Sequence, residues 1–205
     1  MESYSNQVTI EAATDETAQT IMNAALTLIG ERGLKGTTMQ AIAQRAKVNE
    51  VTLFRKFGTK MDLVRTALID LQTTVEQKSV LYSGDVEADL MRLAQSVSDT
   101  FKVFGACLRV VIVEAPDIPE LAEVVAGSRR LFATAAEMLN RYQDESVLLP
   151  EPTASLLPAF MGPVVLPHLV GSPGRSPVLD FGPFDAKIHV QRFLLGRQRK
   201  GSDDE

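Results

Sequence analysis

The sequence predicts an all-α protein: a small N-terminal domain of three helices in helix-turn-helix form, followed by a larger helical domain. Three observations carry this expectation. Apolar residues recur at three- and four-residue steps along most of the chain, the spacing of one buried helix face. Residues 37–60, TTMQAIAQRAKVNEVTLFRKFGTK, divide into two short helices around a tight turn. Basic residues crowd into that same stretch of an otherwise acidic chain.

In the first helix Ala18, Ile21, Met22, Ala25, Leu28 and Ile29 share one face. Asp15 and Glu16 sit in the first turn, where the helix dipole favours acids, and Gly33 marks the end. Thr37 and Gln40 have the spacing of a capping box for the second helix, whose stripe is Met39, Ile42, Ala43 and Ala46. Lys47, Val48 and Asn49 are too few for a loop and suit a helix–helix turn. Asn49 is a good N-cap, able to accept from the N–H of Val51 or Thr52. In the third helix Val51, Leu53, Phe54 and Phe57 are expected to face inward, leaving Glu50, Thr52, Arg55 and Lys56 outward. Gly58 ends it, and Thr59 with Asp62 opens the next helix. A short helix with an apolar back and a basic front is what insertion into the major groove of DNA requires.

The charge distribution points the same way. The whole chain is −5, but residues 31–65 hold Arg32, Lys35, Arg45, Lys47, Arg55, Lys56, Lys60 and Arg65 against Glu31, Glu50 and Asp62. That segment is therefore +5 and the remainder −10. An acidic body with a basic head would orient the molecule on DNA and keep nonspecific binding modest.

The run from Ile21 to Ala67, with ALTLIGERGLKGTTMQAIAQRAKVNEVTLFRKFGTKMDLV at its heart, closely resembles the N-terminal domain of TetR-family transcriptional regulators. That family's pattern is an amphipathic helix ending in E-R-G, a Thr before the second helix, then A-x-x-A-x-V-S/N-x-x-T-L/I-Y/F-x-x-F-x-x-K. Glu31, Arg32, Gly33, Thr38, Ile42, Ala43, Ala46, Val48, Asn49, Thr52, Leu53, Phe54, Phe57 and Lys60 fit it. There are departures. Lys47 stands where the family usually has Gly, so a side chain must tolerate any positive φ in the turn. Phe54 replaces the more usual Tyr and lacks its hydroxyl. Glu50 either accepts from a cytosine amino group or simply favours the helix dipole. Residues 1–14 contain Glu2 and Glu11 but no Lys or Arg, so no basic arm is expected.

Length and composition bound the rest. At 205 residues the chain can form one or two domains with a substantial core, and 45% apolar content is ordinary for a globular protein. One cysteine excludes an intramolecular disulfide and suits a reducing cytosol. No signal-peptide pattern and no long apolar run is present, so a cytoplasmic protein without a membrane span is expected. Cys107, His168 and His189 are the only thiol and imidazoles, and their spacing matches neither a zinc site nor a catalytic triad. Gly30, Gly33 and Gly36 lack the Lys-Ser/Thr of a phosphate loop. No catalytic residue, metal or cofactor is expected.

Residues 1–14 read as a tail, 15–60 as the DNA-binding domain, 61–200 as the regulatory and dimerisation domain, and 201–205 as a second tail. A long helix from about Lys60 carries Val64, Ala67, Leu68, Leu71 and Val75 and is broken by Tyr82-Ser83-Gly84-Asp85. Val86, Leu90, Leu93, Val97, Phe101 and Phe104 stripe the next. Leu108 to Ala115 reads as a separate short helix stopped by Pro116 and Pro119. Leu121, Val125, Phe132, Ala136 and Leu139 mark another long helix. Residues 153–170 hold Pro158, Pro163 and Pro167 and predict a kinked or interrupted helix, 171–184 a loop, and about Asp185 to Arg197 a last helix.

The resemblance implies a homodimer through the last two helices, with Leu156 to Val170 and Ile188, Phe193 and Leu194 as the candidate faces; the alternative is that these fold back on their own domain. It also implies repression of a palindromic operator and release by a small apolar effector. Candidate DNA contacts are Thr38, Lys47, Asn49, Glu50, Thr52, Phe54, Arg55, Lys56 and Lys60. Thr52 and Lys60 are read as phosphate contacts, Arg55 and Lys56 as base or backbone readers, and Thr38 as either a phosphate contact or only part of a cap. An effector pocket could be lined by Phe101, Phe104, Cys107, Leu108, Ile112, Phe132, Met138, Phe160, Met161 and His168, or each could be ordinary core. The rival classes are a helical adaptor whose head binds protein and, with less support, a small enzyme.

Overall fold

The computed structural model describes residues 16–79, 82–170 and 183–198. The expected tails at 1–14 and 201–205, the first-turn Asp15 and most of the 171–184 loop lie outside the described residues. The order is α1 (Glu16–Gly36), α2 (Met39–Ala46), α3 (Glu50–Phe57), α4 (Lys60–Ser79), α5 (Val86–Glu114), 3₁₀ turns at Ala115–Asp117 and Pro119–Leu121, α6 (Ala122–Asp144), α7 (Thr153–Val170) and α8 (Ala186–Leu195). Among the described residues there is no strand, only one antiparallel bridge between Leu148 and Gln198. No described helix is long and apolar enough to cross a membrane.

The helices divide into two compact units. The first joins residues 16–73 to Phe104–Ser128; the second comprises Thr74–Val103 and residues from 129 onward. The core of the first unit is the face read from the sequence: Ala18, Ile21, Met22, Ala25, Leu28 and Ile29 of α1 are all buried, with Ile42 of α2, Leu53 of α3 and Leu63, Val64 and Leu68 of α4. Cys107, Val111 and Ala115 complete it. Gly30 lets α1 approach this last segment closely. A Cβ there would lie 3.0 Å from both Ala106 Cβ and the Cys107 nitrogen. Polar ties hold α4 to the start of α6: Gln72 Nε2 donates to the Val124 carbonyl and Ser128 Oγ, each at 2.8 Å, and Arg65 pairs with Glu123 at 3.3 Å.

Two expectations are corrected here. The second helix is capped by Thr38, not by a Thr37/Gln40 box: Thr38 Oγ1 accepts from the Ala41 N–H at 3.2 Å. Thr37 cannot serve because it is buried and its hydroxyl donates to the Gly33 carbonyl at 2.8 Å. And Leu108 to Ala115 is no separate helix but, as far as Glu114, the last turns of the 29-residue α5. Nothing between Phe104 and Leu108 stops a helix, and Gly105, the only weak helix former there, is buried. Pro116 and Pro119 do end it, Pro116 as the second residue of one 3₁₀ turn and Pro119 as the first of the next.

In the second unit α5 contributes Leu90, Leu93 and Val97, α6 contributes Leu139 and Tyr142, α7 Leu156, Phe160 and Val164, and α8 Val190, Phe193 and Leu194. α7 continues through all three prolines. Each proline removes one N–H and loosens the preceding turn, and beside Pro163 the Phe160 carbonyl lies 2.9 Å from His189 Nε2 of α8. The buried polar centre of this unit is Asp89. Its carboxylate accepts from the Ser83 N–H (2.7 Å), Ser83 Oγ (2.6 Å), Tyr142 Oη (2.5 Å) and Arg92 (3.0 Å). Burial alone would raise this carboxyl, but the bonds from Ser83, Tyr142 and Arg92 outweigh it and hold the group below the usual carboxylate range. Because the folded-state value is the lower one, Asp89 stabilises the fold fully above the unfolded carboxylate range and loses that contribution as pH falls from there through the lower folded-state value. Asp89→Ala strands the Tyr142 hydroxyl and should cost about 3 kcal/mol. Urea melts at pH 7 and pH 3.5 check this: the gap between wild type and variant should be large at pH 7 and shrink at pH 3.5.

Candidate nucleic-acid interface

The first unit is organised around the short helices α2 and α3 and the corners beside them. Gly33 has φ +74° and ψ 171°, so the helical path of α1 breaks there and a single further turn leads to α2. Carbonyls freed at this corner are taken by Lys60, whose Nζ donates to the Leu34 carbonyl at 2.8 Å and the Thr37 carbonyl at 3.0 Å. Across the corner Arg45 of α2 grips Glu31 of α1 with two bonds of 3.0 and 2.7 Å. That bidentate bond holds the Glu31 carboxyl below its usual range.

The α2–α3 turn is made by Lys47 in the left-handed conformation, φ +57° and ψ +40°. Its N–H reaches the Gln44 carbonyl at 3.2 Å and the Val48 N–H reaches the Ala43 carbonyl at 3.0 Å, which closes the end of α2. Asn49 then caps α3, accepting from the Val51 N–H at 2.8 Å. Gly58, at φ +73°, ends α3 with its N–H on the Phe54 carbonyl, and Thr59 and Asp62 cap α4 reciprocally at 3.1 and 3.2 Å.

Only Leu53 and Phe57 of α3 are buried. Val51 and Phe54, expected to face inward, are instead 71% and 52% exposed. An eight-residue helix advances about 100° per residue, so the stripe set by Leu53 and Phe57 places Val51 near the opposite side and Phe54 at the edge. The outer face is therefore Phe54, Val51 and Arg55 together, flanked by a half-buried Thr52. Of the other expected contacts, Thr38, Lys47 and Asn49 are exposed, Glu50 and Lys56 half-buried. Lys60 faces the α1–α2 corner with two of its three protons on carbonyls. Gln40 and Gln44 are also exposed, on α2.

The ten residues proposed for an effector pocket divide between the two units. Cys107 is buried in the core of the first, with Phe104 packed against it, Leu108 half-buried and Ile112 exposed. Burial pushes the Cys107 thiol up to about 12. Met138, Phe160 and Met161 share the core of the second unit, while Phe132 is 40% exposed. Phe101 and His168 stack with ring centroids 6.0 Å apart. His168 Nε2 has no hydrogen-bond partner, and burial followed by nearby Lys102 lowers the imidazole. A separate open groove of about 830 Å³ runs between α7 and α8, lined by Gly162, Pro163, Leu166, Ile188, His189 and Arg192 among others, and includes none of the ten. Among the described residues no cluster of His, Cys, Asp and Glu could hold a metal ion.

Residues 21–67 match the bacterial regulatory proteins of the tetR family. Over 80 residues it is 39% identical to the HTH-type transcriptional repressor Rv3405c of Mycobacterium tuberculosis, a match that covers 39% of this chain and 41% of that protein. The match thus spans less than half the length of this curated relative. Among solved structures, the ketosteroid transcriptional regulator KstR2 of Mycobacterium tuberculosis superposes with a TM-score of 0.67 at 17% identity, covering 91% of this chain and 97% of that one. AibR, solved with isovaleryl coenzyme A and operator DNA, gives 0.66 at 16% identity, covering 88% and 97%. At such identities these two structures speak for the fold alone.

The left-handed Lys47 yields a stability prediction. Lys47→Gly should raise stability by about 0.5 kcal/mol, relief of the left-handed strain outweighing the extra entropy that glycine loses. Thermal unfolding of the two proteins measures it, and a lower midpoint for the variant would contradict the turn geometry.

Proposed function

We propose that this protein is a DNA-binding transcriptional regulator that grips a palindromic operator as a homodimer, represses from it, and is released by a small apolar effector. The observation that carries the reading is the exposed face of α3, presented by an N-cap and a left-handed turn within a segment, residues 31–65, that is +5 in an acidic chain. Arg55 is the base reader of this face, suited to the O6 and N7 of guanine. Thr38, Lys47, Asn49, Thr52 and Lys56 supply phosphate contacts that fix orientation without choosing sequence. Glu50 sets the start of α3. Lys60 acts chiefly through the corner it holds, with one proton left for phosphate.

Dimerisation is assigned to the α7–α8 groove. Leu166 and Ile188 line it and stand 49% and 46% exposed, an apolar strip that a second copy would cover. Phe193 and Leu194 are buried in their own unit, and Phe193 also lines the groove. Twofold symmetry would then set two α3 helices about 34 Å apart or a multiple of it, in successive major grooves. Repression is the mode named for Rv3405c, and the effector reading draws on the ligand seen with AibR.

The first test is selection of bound duplexes from a random pool by the purified full chain at about 150 mM salt. Enrichment of a palindrome is expected; a folded protein that enriches nothing would favour a protein-binding adaptor. Against the selected duplex, Arg55→Ala should lose affinity about tenfold or more while binding random DNA as before. Lys47→Gly should weaken both alike and flatten the salt slope by about one unit. Leu166→Glu with Ile188→Glu should yield a folded monomer in analytical ultracentrifugation, and a persistent dimer would move the interface elsewhere.

A further inference from the structure

The geometry points to Val51 and Phe54 as readers of thymine C5-methyl groups in the major groove, a specificity device that rests on the DNA-binding reading above and goes beyond its polar contacts. Val51 is 71% and Phe54 52% exposed, and neither belongs to the hydrophobic core of its unit. Inside the chain they gain little: both are poorer helix formers than Ala, Glu or Lys, and α3 spans only eight residues. Their value therefore lies in what the face meets.

That occupant is identified by what surrounds the pair. About 100° per residue puts Val51 between Phe54 and Arg55, so two apolar groups and a guanidinium form one continuous strip. Arg55 is exposed on the same face and Lys47 is exposed in the turn that leads into α3, within a segment of +5. An apolar protein groove would be repelled by no such charge, but it would leave the cations without a counterpart; a polyanion that also displays methyl groups satisfies both. Duplex DNA offers that combination, since each thymine carries its C5-methyl into the major groove beside the base-edge acceptors. Val51 is the second residue of α3, and the N-terminal residues of a recognition helix are those that reach base edges. Phe54 lacks the hydroxyl that a tyrosine would turn to a phosphate, so its ring edge is free to pack on a methyl. The strip thus favours half-sites in which thymines neighbour the guanine bound by Arg55.

The probe is the selected duplex with each half-site thymine replaced in turn by uracil, which removes the methyl and leaves base pairing intact. At one or two positions per half-site, uracil should weaken binding by wild type about fourfold per methyl buried. Val51→Ala should erase the preference at one such position and Phe54→Ala at another, with the salt slope unchanged, since neither residue neutralises a phosphate. Circular dichroism and the thermal midpoint of each variant should match wild type, because both side chains are exposed. The inference is overturned if uracil is tolerated at every half-site thymine, if the selected half-site has no thymine, or if both folded variants keep the wild-type thymine-to-uracil ratio. A folded protein that selects no duplex overturns the DNA-binding reading, and this inference with it, before the uracil series begins.

Discussion

The corner between α1 and α2 leaves carbonyl oxygens that no helical N–H can reach, and the ammonium of Lys60 supplies the missing donors. Buried carbonyls without partners would be costly, so this one side chain makes a sharp change of direction tolerable. It also comes from the first residue of α4, which ties the path of that helix to the corner. The Glu31–Arg45 pair spans the same corner on an exposed surface and adds direction more than energy. α2 is thereby held at both ends, by Thr38 and the corner at one and by the left-handed Lys47 at the other. The orientation of α3 follows from that.

The framework was readable because helical periodicity is strong in exactly those segments that bury one continuous face. All six residues named for α1 and all four for α2 are buried, and Asn49 and Gly58 cap as their chemistry suggests. Reading failed where a helix is too short for periodicity to speak. In α3, two residues suffice to fill the core, so Val51 and Phe54 could not be sorted by hydrophobicity alone. The Thr37 and Thr38 pair failed for a related reason: adjacent identical side chains compete for the cap, and only the position of the Gly33 carbonyl decides. Lys60 shows a third limit, since its partners lie more than twenty residues back in the chain.

The second unit was legible as helices but hardly as a site. Its apolar residues fill a core, and whether a given aromatic lines a cavity depends on packing between helices that periodicity does not encode. Phe193 and Leu194, which the apolar pattern offers equally to a partner or to their own domain, are buried in their own unit, while Ile188 on the same helix faces out. The Asp89 network was invisible for the opposite reason. A single acid in an amphipathic helix looks like a solvated residue, and only the turn at Ser83 and the approach of Tyr142 give it a buried role.

The tight seating of α1 against Cys107 has a use beyond stability. The chain holds one thiol, and in the folded state it is both enclosed and poorly ionised. Alkylation requires an exposed thiolate, so modification proceeds only in moments when the core around Cys107 opens. Cys107 is thus a native clock for the opening of the first unit, one that runs without any introduced label and can be timed with and without DNA.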